Sequence, residues 1–495
     1  MSSSSSTTTT SNSSASYINT STIIAILATS ALVYSHWSSR PEWMRGSSST
    51  SSKESGERGA TDKDANDDFA NPLAIVTKLK EMMTLVSQVS DDVTPDDITD
   101  WQMMAAAYSV IHLNTELRGV DPDYRDKQYD DDNRQHDDVQ LEELQELKTV
   151  LEYAHWAYEM SHSVISANCR EAGLDLLRHD TATEPGRVGH FIALDHKNKT
   201  AIVGLKGTSS LADVLTDLVA LPKEHLGCHF DDKTFAAPSA SASSGGGVTS
   251  EKAVKSMYCH EGIFTAAIWM ADNLQEFIEN MLLPLKYKLL ICGHSLGAGT
   301  ACLLGLELRS RISAFRKNYT DLRVLAYATP PVVSFEASKA CAPFITSVVN
   351  NSDVVPRSSL SNLVVMNKLL LKVNEKLQEK GHTLDTWTSL RNYYNEEVAK
   401  VDDDLLLTPD ELEEFFQETH AEPEQEQDHL YVPGRCVVMW DKGDNDNSEV
   451  GGIVTDCGMK MLRMIELSTT LITDHFIVGY RENMTKLIEQ LENTI

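Results

Sequence analysis

The sequence predicts an α/β fold with a mostly parallel central sheet. The apolar run 289–292 ends at a glycine and is typical of a buried parallel strand. Residues 298–306 come soon after it, are apolar and rich in helix formers, and predict a helix. Another buried strand is predicted in "FITSVVNN", which leads into a polar turn and Pro356. Buried strands followed by helices are typical of parallel sheets.

Ser295 lies at the corner between the first strand and its helix, in the stretch "GHSLG". Gly293 and Gly297 have no side-chain bulk, so the chain can turn sharply and lift the serine oxygen above the sheet edge. The stretch, which includes His294, matches a nucleophile elbow. A glycine-rich turn is the alternative, since the bare pattern also arises by chance. The flanking strand and helix favour the elbow.

A serine hydroxyl becomes a good nucleophile only when a base takes its proton, and the expected chain order is Ser, Asp, His. Asp353 follows a predicted strand, at the carboxyl edge where α/β sheets build their sites. His475 precedes the last predicted helix, which begins near Ile477. Asp474 competes as the acid, but neighbouring residues seldom place both side chains to bond each other, so we prefer Asp353.

The negative charge that develops on a substrate carbonyl oxygen needs N–H donors already in position. The apolar runs 191–194 and 201–205 predict a hairpin, and the loop 206–208 lies at its end. We assign the donors to the backbone N–H groups of Thr208 and of Leu296, the residue after the serine. An ordinary turn at a strand end is the alternative, and nothing in the local sequence excludes it.

Five motifs resemble class 3 lipases in their order and context, and in particular the sn-1-specific diacylglycerol lipases. They are "GTSSLADVLTDL", "CHEGIFTAA", "GHSLGAGTA", "SDVVPR" and "DHFIVGY". The resemblance covers about residues 140–495 with two interruptions. It implies an α/β-hydrolase fold and a serine esterase that acts on glycerolipid acyl chains, with the triad Ser295, Asp353 and His475.

One position near these motifs departs from the family, and another lies beside the family's site. The family usually has an arginine where this chain has Lys206, which weakens a supporting contact but leaves a backbone oxyanion donor in place. His260, in "CHEGIF", falls beside the site in the family, and we expect a structural role for it.

The resemblance implies hydrolysis of diacylglycerol to monoacylglycerol and free fatty acid. A phospholipase A1 or a transacylase would use the same triad. A hydrolase fold that binds lipid or a protein partner without turnover is an alternative of another class. No cofactor is predicted. No metal is predicted either, because the adjacent aspartates 130–132 lack the loop pattern of a calcium hand.

Charge and cysteine usage restrict the partners and the compartment. A net charge of −30 and a pI near 4.9 argue against a nucleic-acid partner and against electrostatic capture by anionic lipid. The chain has eight cysteines, of which Cys292, Cys302 and Cys436 fall in predicted core segments. A glycan at the sequon of Asn350 would crowd the predicted acid. Both observations favour a reducing, cytosolic setting.

Residues 1–38 carry no charge, and 17–37 contain the apolar stretch "STIIAILATSALVY" with aromatic residues at its flanks. This composition predicts a membrane anchor. A cleaved targeting peptide and a disordered serine-rich tail are the alternatives. Arg40 and Arg45 follow the segment, so the positive-inside bias places the catalytic part in the cytosol.

The rest of the chain divides by composition. Residues 39–70 are predicted to be a linker, 71–165 a helical extension packed on the core, and 166–495 the hydrolase core. The extension rests on two apolar helical faces, formed by Leu73, Val76, Leu79, Met83 and Val86 and by Leu141, Leu144, Leu147, Leu151 and Ala154. Between these faces, residues 121–138 are predicted to be a solvated acidic loop.

Two insertions are predicted within the core. Residues 221–256 contain "APSASASSGGG", which is too flexible to pack and is a candidate lid over the site. Residues 358–430 contain a helix start with Thr408 as N-cap, Pro409 in the first position and Glu411 closing a capping box. For both insertions, gating of the site and surface decoration stay open.

The anchor leads to a prediction about the whole protein in cells. Full-length protein is expected in the membrane fraction, and removal of residues 1–38 is expected to release it, because a chain this acidic is repelled by anionic lipid. The shortened form should still hydrolyse a short soluble ester. Protease added to intact microsomes should digest the catalytic part. Full-length protein in the soluble fraction contradicts the anchor, and a protected catalytic part contradicts the cytosolic orientation.

Overall fold

A computed structural model describes much of the 495-residue chain. The described residues are 106–114 without 108 and 112, 123–130, 136–181, 186–208, 258–381, 389, 407–419, 429–443, 449–468 and 470–494. The predicted anchor (17–37), the linker (39–70), the helical face from Leu73 to Val86 and the candidate lid (221–256) all lie outside the described residues.

The helices and strands alternate along much of the chain. In chain order they are α1 Tyr124–Tyr129, β1 Asp137–Asp138, α2 Leu141–Trp156, α3 His162–Glu171, β2 Asp175–Asp180, β3 His190–Asp195, β4 Thr200–Leu205, α4 Glu261–Phe277, β5 Lys288–His294, α5 Leu296–Arg311, α6 Ser313–Lys317, β6 Leu322–Tyr327, α7 Phe335–Cys341, β7 Ile345–Asn350, α8 Leu360–Glu379, α9 Pro409–Thr419, β8 Arg435–Asp441, β9 Val450–Thr455 and α10 Ile477–Thr494. A π-helical turn, Ile278–Leu282, extends α4, and short 3-10 turns cover Tyr319–Asp321, Val355–Arg357, Lys460–Leu462 and Thr473–His475.

The nine strands form one sheet in the order β1-β9-β8-β7-β6-β5-β4-β3-β2. The five strands from β4 to β8 pair in parallel, and antiparallel strands flank them on both sides. The predicted hairpin is β3 and β4, with His190 opposite Leu205. The sheet confirms the predicted α/β-hydrolase fold class.

The central strands are largely apolar and buried because helices cover both faces of the sheet. On one face, α4 and α5 pack against each other, and α5 contacts β4, β5 and β6. On the other face, α2 contacts the same three strands and α10. The carboxyl ends of the parallel strands and the start of α5 therefore lie at the same edge of the sheet.

Helix α2 is one of these two covering layers, although it lies within the predicted helical extension of residues 71–165. Its buried face is the predicted one, with Leu144, Leu147 and Leu151 fully enclosed and Leu141 at its margin. These side chains pack in one cluster with side chains of the central strands, so the helix is part of the core layer that the sheet needs.

The prediction of a solvated acidic loop at residues 121–138 is wrong for residues 124–129. These residues form α1, and the side chains of Arg125 and Tyr129 are buried. The ring of Tyr129 stacks on Trp440 with centroids 4.5 Å apart, and Asp126 accepts a hydrogen bond from the Trp440 indole. The segment packs against the fold because Arg125 and Tyr129 bury large side chains. The acidic composition of residues 121–138 gives no indication of this burial.

The described part of the second insertion is packed as well. Helix α8 buries an apolar face in the main core cluster, so a surface role is wrong for residues 360–379. The capping box at α9 is confirmed: the Thr408 N–H donates to Glu411 Oε2 (2.9 Å) and the Glu411 N–H donates to Thr408 Oγ1 (3.2 Å). Lys376 of α8 pairs with Glu411, which ties α9 to α8.

The described residues contain seven cysteines, all buried and free of disulfides. Asn350, the sequon residue, is buried at the end of β7, and its side chain bonds within the protein. None of the helices formed by the described residues is long and apolar enough to span a membrane.

The packing of α2 predicts the effect of a cavity on stability. Leu147→Ala is expected to lower the free energy of unfolding by about 2–5 kcal/mol, because it removes a buried side chain from the layer on the sheet. Thr149→Ala, on the exposed face of the same helix, is expected to change it by less than about 0.5 kcal/mol. Denaturant titration followed by tryptophan fluorescence measures both. A separate early transition in the leucine variant would mean that α2 unfolds independently.

Candidate active site

Ser295 forms the corner between β5 and α5, as the elbow pattern predicts. Its backbone has φ 62° and ψ −133°, a conformation that a residue with a side chain adopts only when its surroundings enforce it. Here the Ser295 N–H donates to the carbonyl oxygen of Tyr327 on the neighbouring strand (2.9 Å). A Cβ on Gly293 would lie 2.5 Å from the backbone of Gly297, and a Cβ on Gly297 would lie 2.5 Å from the carbonyl oxygen of Leu205, so neither position has room for a side chain.

The structure brings the three predicted side chains together at the carboxyl edge of the sheet. His475 Nε2 lies 3.1 Å from Ser295 Oγ, and His475 Nδ1 lies 3.0 and 3.2 Å from the two carboxylate oxygens of Asp353. All three residues are buried. A carboxylate at Nδ1 keeps a proton on that nitrogen, which leaves Nε2 free to accept the serine proton.

Asp353 is held by donors that sequence reasoning missed. Tyr480 Oη donates to its Oδ2 (2.7 Å), and the Val355 N–H donates to its Oδ1 (2.9 Å). Burial by itself would raise the pKa of Asp353, but the charge and hydrogen bond of His475 and the bonds from Tyr480 and Val355 lower that pKa below its usual range. The side chain is therefore held as an anion against the Nδ1 of His475. Tyr480 belongs to the motif "DHFIVGY", so its place in that motif was the sequence signal that could have identified it.

Asp474, the competing carboxylate, is bonded to groups other than the histidine ring, whose Nδ1 faces Asp353. Its Oδ2 accepts hydrogen bonds from the Ser352 N–H (3.1 Å) and from Thr470 Oγ1 (2.8 Å). Burial raises the pKa of Asp474 to about 7, against these hydrogen bonds and the charge of Arg125. Asp474 therefore links the segment before Asp353 to the segment before His475.

His294, the residue before the serine, is buried against the predicted base. Its Nε2 lies 2.8 Å from the carbonyl oxygen of His475, which can only accept, so the proton of the neutral ring is on Nε2. Its Nδ1 then accepts from Tyr158 Oη (3.1 Å). Burial, with the nearby His475, lowers the pKa of His294 to about 3, so the ring is neutral. The elbow therefore contacts His475 twice. Ser295 bonds its side chain, and His294 bonds its backbone carbonyl oxygen.

The predicted oxyanion donors lie on segments that border the serine. A Cβ on Gly207 would lie 3.3 Å from the Cβ of Ser295, so Thr208 follows a residue in direct contact with the elbow. Leu296 is the first residue of α5, and the first N–H groups of a helix have no acceptor within it. The assignment of these two N–H groups stays a prediction.

His260, for which a structural role was expected, caps α4. Its Nδ1 accepts a hydrogen bond from the Ile263 N–H at 3.3 Å, and its side chain is buried. The part of the chain that the structure describes contains no group of three His, Cys, Asp or Glu side chains able to hold a metal ion.

The chain is similar to known lipases over part of its length. Residues 202–363 match the family model "Lipase (class 3)". Rat diacylglycerol lipase-alpha is 32% identical over 192 residues, which make up 38% of this chain and 16% of that protein. Mouse diacylglycerol lipase-beta is 28% identical over 188 residues, 37% of this chain and 24% of that protein. The chain thus spans less than a quarter of the length of these curated relatives.

Similar solved structures include two fungal lipases. The native Rhizomucor miehei lipase propeptide complex aligns with a TM-score of 0.37 at 13% identity, over 70% of this chain and 83% of that one. The lipase from Rhizopus microsporus var. chinensis aligns with a TM-score of 0.38 at 16% identity, over 69% and 88%. The family match over residues 202–363 confirms the resemblance to class 3 lipases that the five motifs indicated.

Proposed function

We propose that the protein is a serine hydrolase that cleaves acyl esters of glycerolipids, with diacylglycerol as the substrate and monoacylglycerol and a fatty acid as products. The observation that carries the proposal is the hydrogen-bonded series from Ser295 Oγ through His475 to the buried Asp353. The similarity to diacylglycerol lipases over about 190 residues supports the choice of substrate.

In the proposed reaction, His475 Nε2 takes the hydroxyl proton as Ser295 Oγ attacks the ester carbonyl carbon. Asp353 at Nδ1 stabilises the imidazolium that forms. The backbone N–H groups of Thr208 and Leu296 meet the oxyanion of the tetrahedral intermediate. The imidazolium then gives its proton to the leaving alcohol, which departs as monoacylglycerol and leaves an acyl-serine.

Water completes the cycle. His475 removes a proton from the water as it attacks the acyl-serine. The imidazolium then gives this proton to Ser295 Oγ as the tetrahedral intermediate collapses, which releases the fatty acid and restores the serine hydroxyl. The neutral ring of His294 suits this step, because a second cation beside the imidazolium of His475 would oppose its formation.

We also propose that the N-terminal segment brings this site to a membrane, where its substrate is found.

The nucleophile is tested by Ser295→Ala. This variant is expected to fold normally and to lose both ester hydrolysis and labelling by a fluorophosphonate, because both need the activated Oγ. A panel of di-, tri- and monoacylglycerols and phospholipids, each measured against this variant as the blank, identifies the substrate. Ser313→Ala, at an exposed helix start, is the matched control and should keep full activity. Folded wild-type protein that resists the fluorophosphonate would favour a binding module.

The orienting acid is tested by comparing two carboxylates. Asp353→Asn is expected to lower kcat on a soluble ester by about 10³- to 10⁴-fold, because an amide no longer fixes the proton at Nδ1 of the histidine. Asp474→Asn keeps an acceptor oxygen for Ser352 and Thr470, and we expect a loss below about tenfold. Steady-state kinetics after matched thermal unfolding curves measures both variants. The reverse ranking would identify Asp474 as the acid.

A further inference from the structure

A buried charged cluster lies behind the proposed triad and is built partly from residues upstream of the class 3 lipase match. Arg125 of α1 pairs with Glu466 (Nη1 to Oε1, 3.0 Å), and both side chains are at most 2% exposed. Arg125 also donates from Nη2 to Asn351 Oδ1 (2.6 Å). These two partners belong to different segments, the acid loop (351–357), which carries Asp353, and the histidine loop (465–475), which carries His475.

The acid loop is held at both of its ends. Asn351 has φ 47°, a left-handed conformation, and its carbonyl oxygen accepts from Arg357 Nη2 (2.7 Å) and lies 3.1 Å from Tyr129 Oη. Arg357 Nη1 donates to the carbonyl oxygen of Asp353 itself (2.7 Å). The guanidinium of Arg357 therefore clamps the backbone on each side of Ser352, and α1 fixes the residue where the loop begins.

The histidine loop is held by the same N-terminal segment. Glu466 Oε2 lies 3.1 Å from Tyr129 Oη, in addition to its pair with Arg125. Upstream of α1, Asn114 Nδ2 donates to the carbonyl oxygen of Leu467 (2.9 Å). Three side chains from residues 106–130 thus reach the start of the loop that ends at His475.

A buried ion pair is weak evidence for stability, because desolvation of two charges offsets most of their attraction. A planar guanidinium with fixed donors does, however, set the separation of the groups it joins. Displacements of about 1 Å in a catalytic geometry can cost about 100-fold in rate. Arg125 spans the two loops whose separation determines the distance between His475 and Asp353.

We infer that Arg125, with Tyr129 and Glu466, is a positioning group for the proposed triad, and that turnover depends on α1 although it lies outside the class 3 lipase segment. The inference rests on the proposed function. It predicts a loss in kcat, because the chemical step needs the exact triad geometry, and an unchanged KM, because these side chains are buried and contact the two loops and each other.

The test removes both charges together, since a single substitution would leave one charge buried without its partner. Arg125→Met/Glu466→Leu is assayed on a short soluble ester, and the active sites are counted by fluorophosphonate labelling to completion. We expect kcat per labelled site to fall by about 10- to 100-fold, with KM within about twofold of wild type. An unchanged kcat per labelled site with fewer labelled sites would show a purely structural role and overturn the inference.

A second variant and a matched control complete the test. Arg125→Lys keeps the charge beside Glu466, but a single ammonium cannot reproduce the fixed two-sided contact to Glu466 and Asn351, so kcat per site should fall several-fold. Unchanged kcat there overturns the inference even if the double variant does not fold. Arg311→Met/Glu307→Leu removes an ion pair at the far end of α5 and should leave kcat per site at the wild-type value.

The failure of the inference and that of the proposed function are distinguishable. If Ser295→Ala hydrolyses the ester as fast as wild type, the proposed function fails whatever Arg125 does. If Ser295→Ala is inactive and the double variant turns over like wild type, only the positioning role fails. If the control double variant loses as much kcat per site as the Arg125 variants, the loss reflects general destabilisation, and the inference is again overturned.

Discussion

The buried hydrogen bond between His475 and Asp353 is the contact on which the rest of this corner of the fold depends. It joins residues 122 positions apart that lie on two loops, and neither loop is fixed by the strand pairing of the sheet. Loops without ladder hydrogen bonds must be held by side chains if they are to keep a distance near 3 Å. This requirement accounts for the density of buried polar contacts behind the site.

Those contacts come from three directions. The elbow holds the histidine through His294, which bonds the carbonyl oxygen of His475. The last helix holds the acid through Tyr480, and α1 holds the starts of both loops through Arg125. Since each contact is buried, the loss of one partner leaves an unsatisfied group and destabilises the geometry more than a surface contact would. Local chemistry at the site is thus supported by residues distant in sequence.

Sequence reasoning predicted the elements whose signals are local. The buried strand 289–292, the corner at Ser295 and the hairpin of β3 and β4 follow from apolar runs that end at glycine or in polar turns. Helix α1 was missed because acidic neighbours surround it, and nothing local reveals that Arg125 is buried against Glu466, 341 positions away. Partners so distant in sequence leave no periodicity, so the supporting contacts could be found only in three dimensions.

The two carboxylates of this corner differ in protonation because their neighbours differ. Asp353 faces donors and a histidine, and its pKa is lowered, so it contributes stability above its ordinary pKa that is lost as the pH falls through the lowered value. Burial raises the pKa of Asp474 to about 7, so its contribution is complete below the ordinary carboxyl pKa and is lost as the pH rises toward 7. The opposite signs separate the roles. Asp353 stays an anion beside the histidine ring. Asp474, which is mostly neutral below pH 7, only links the two loops.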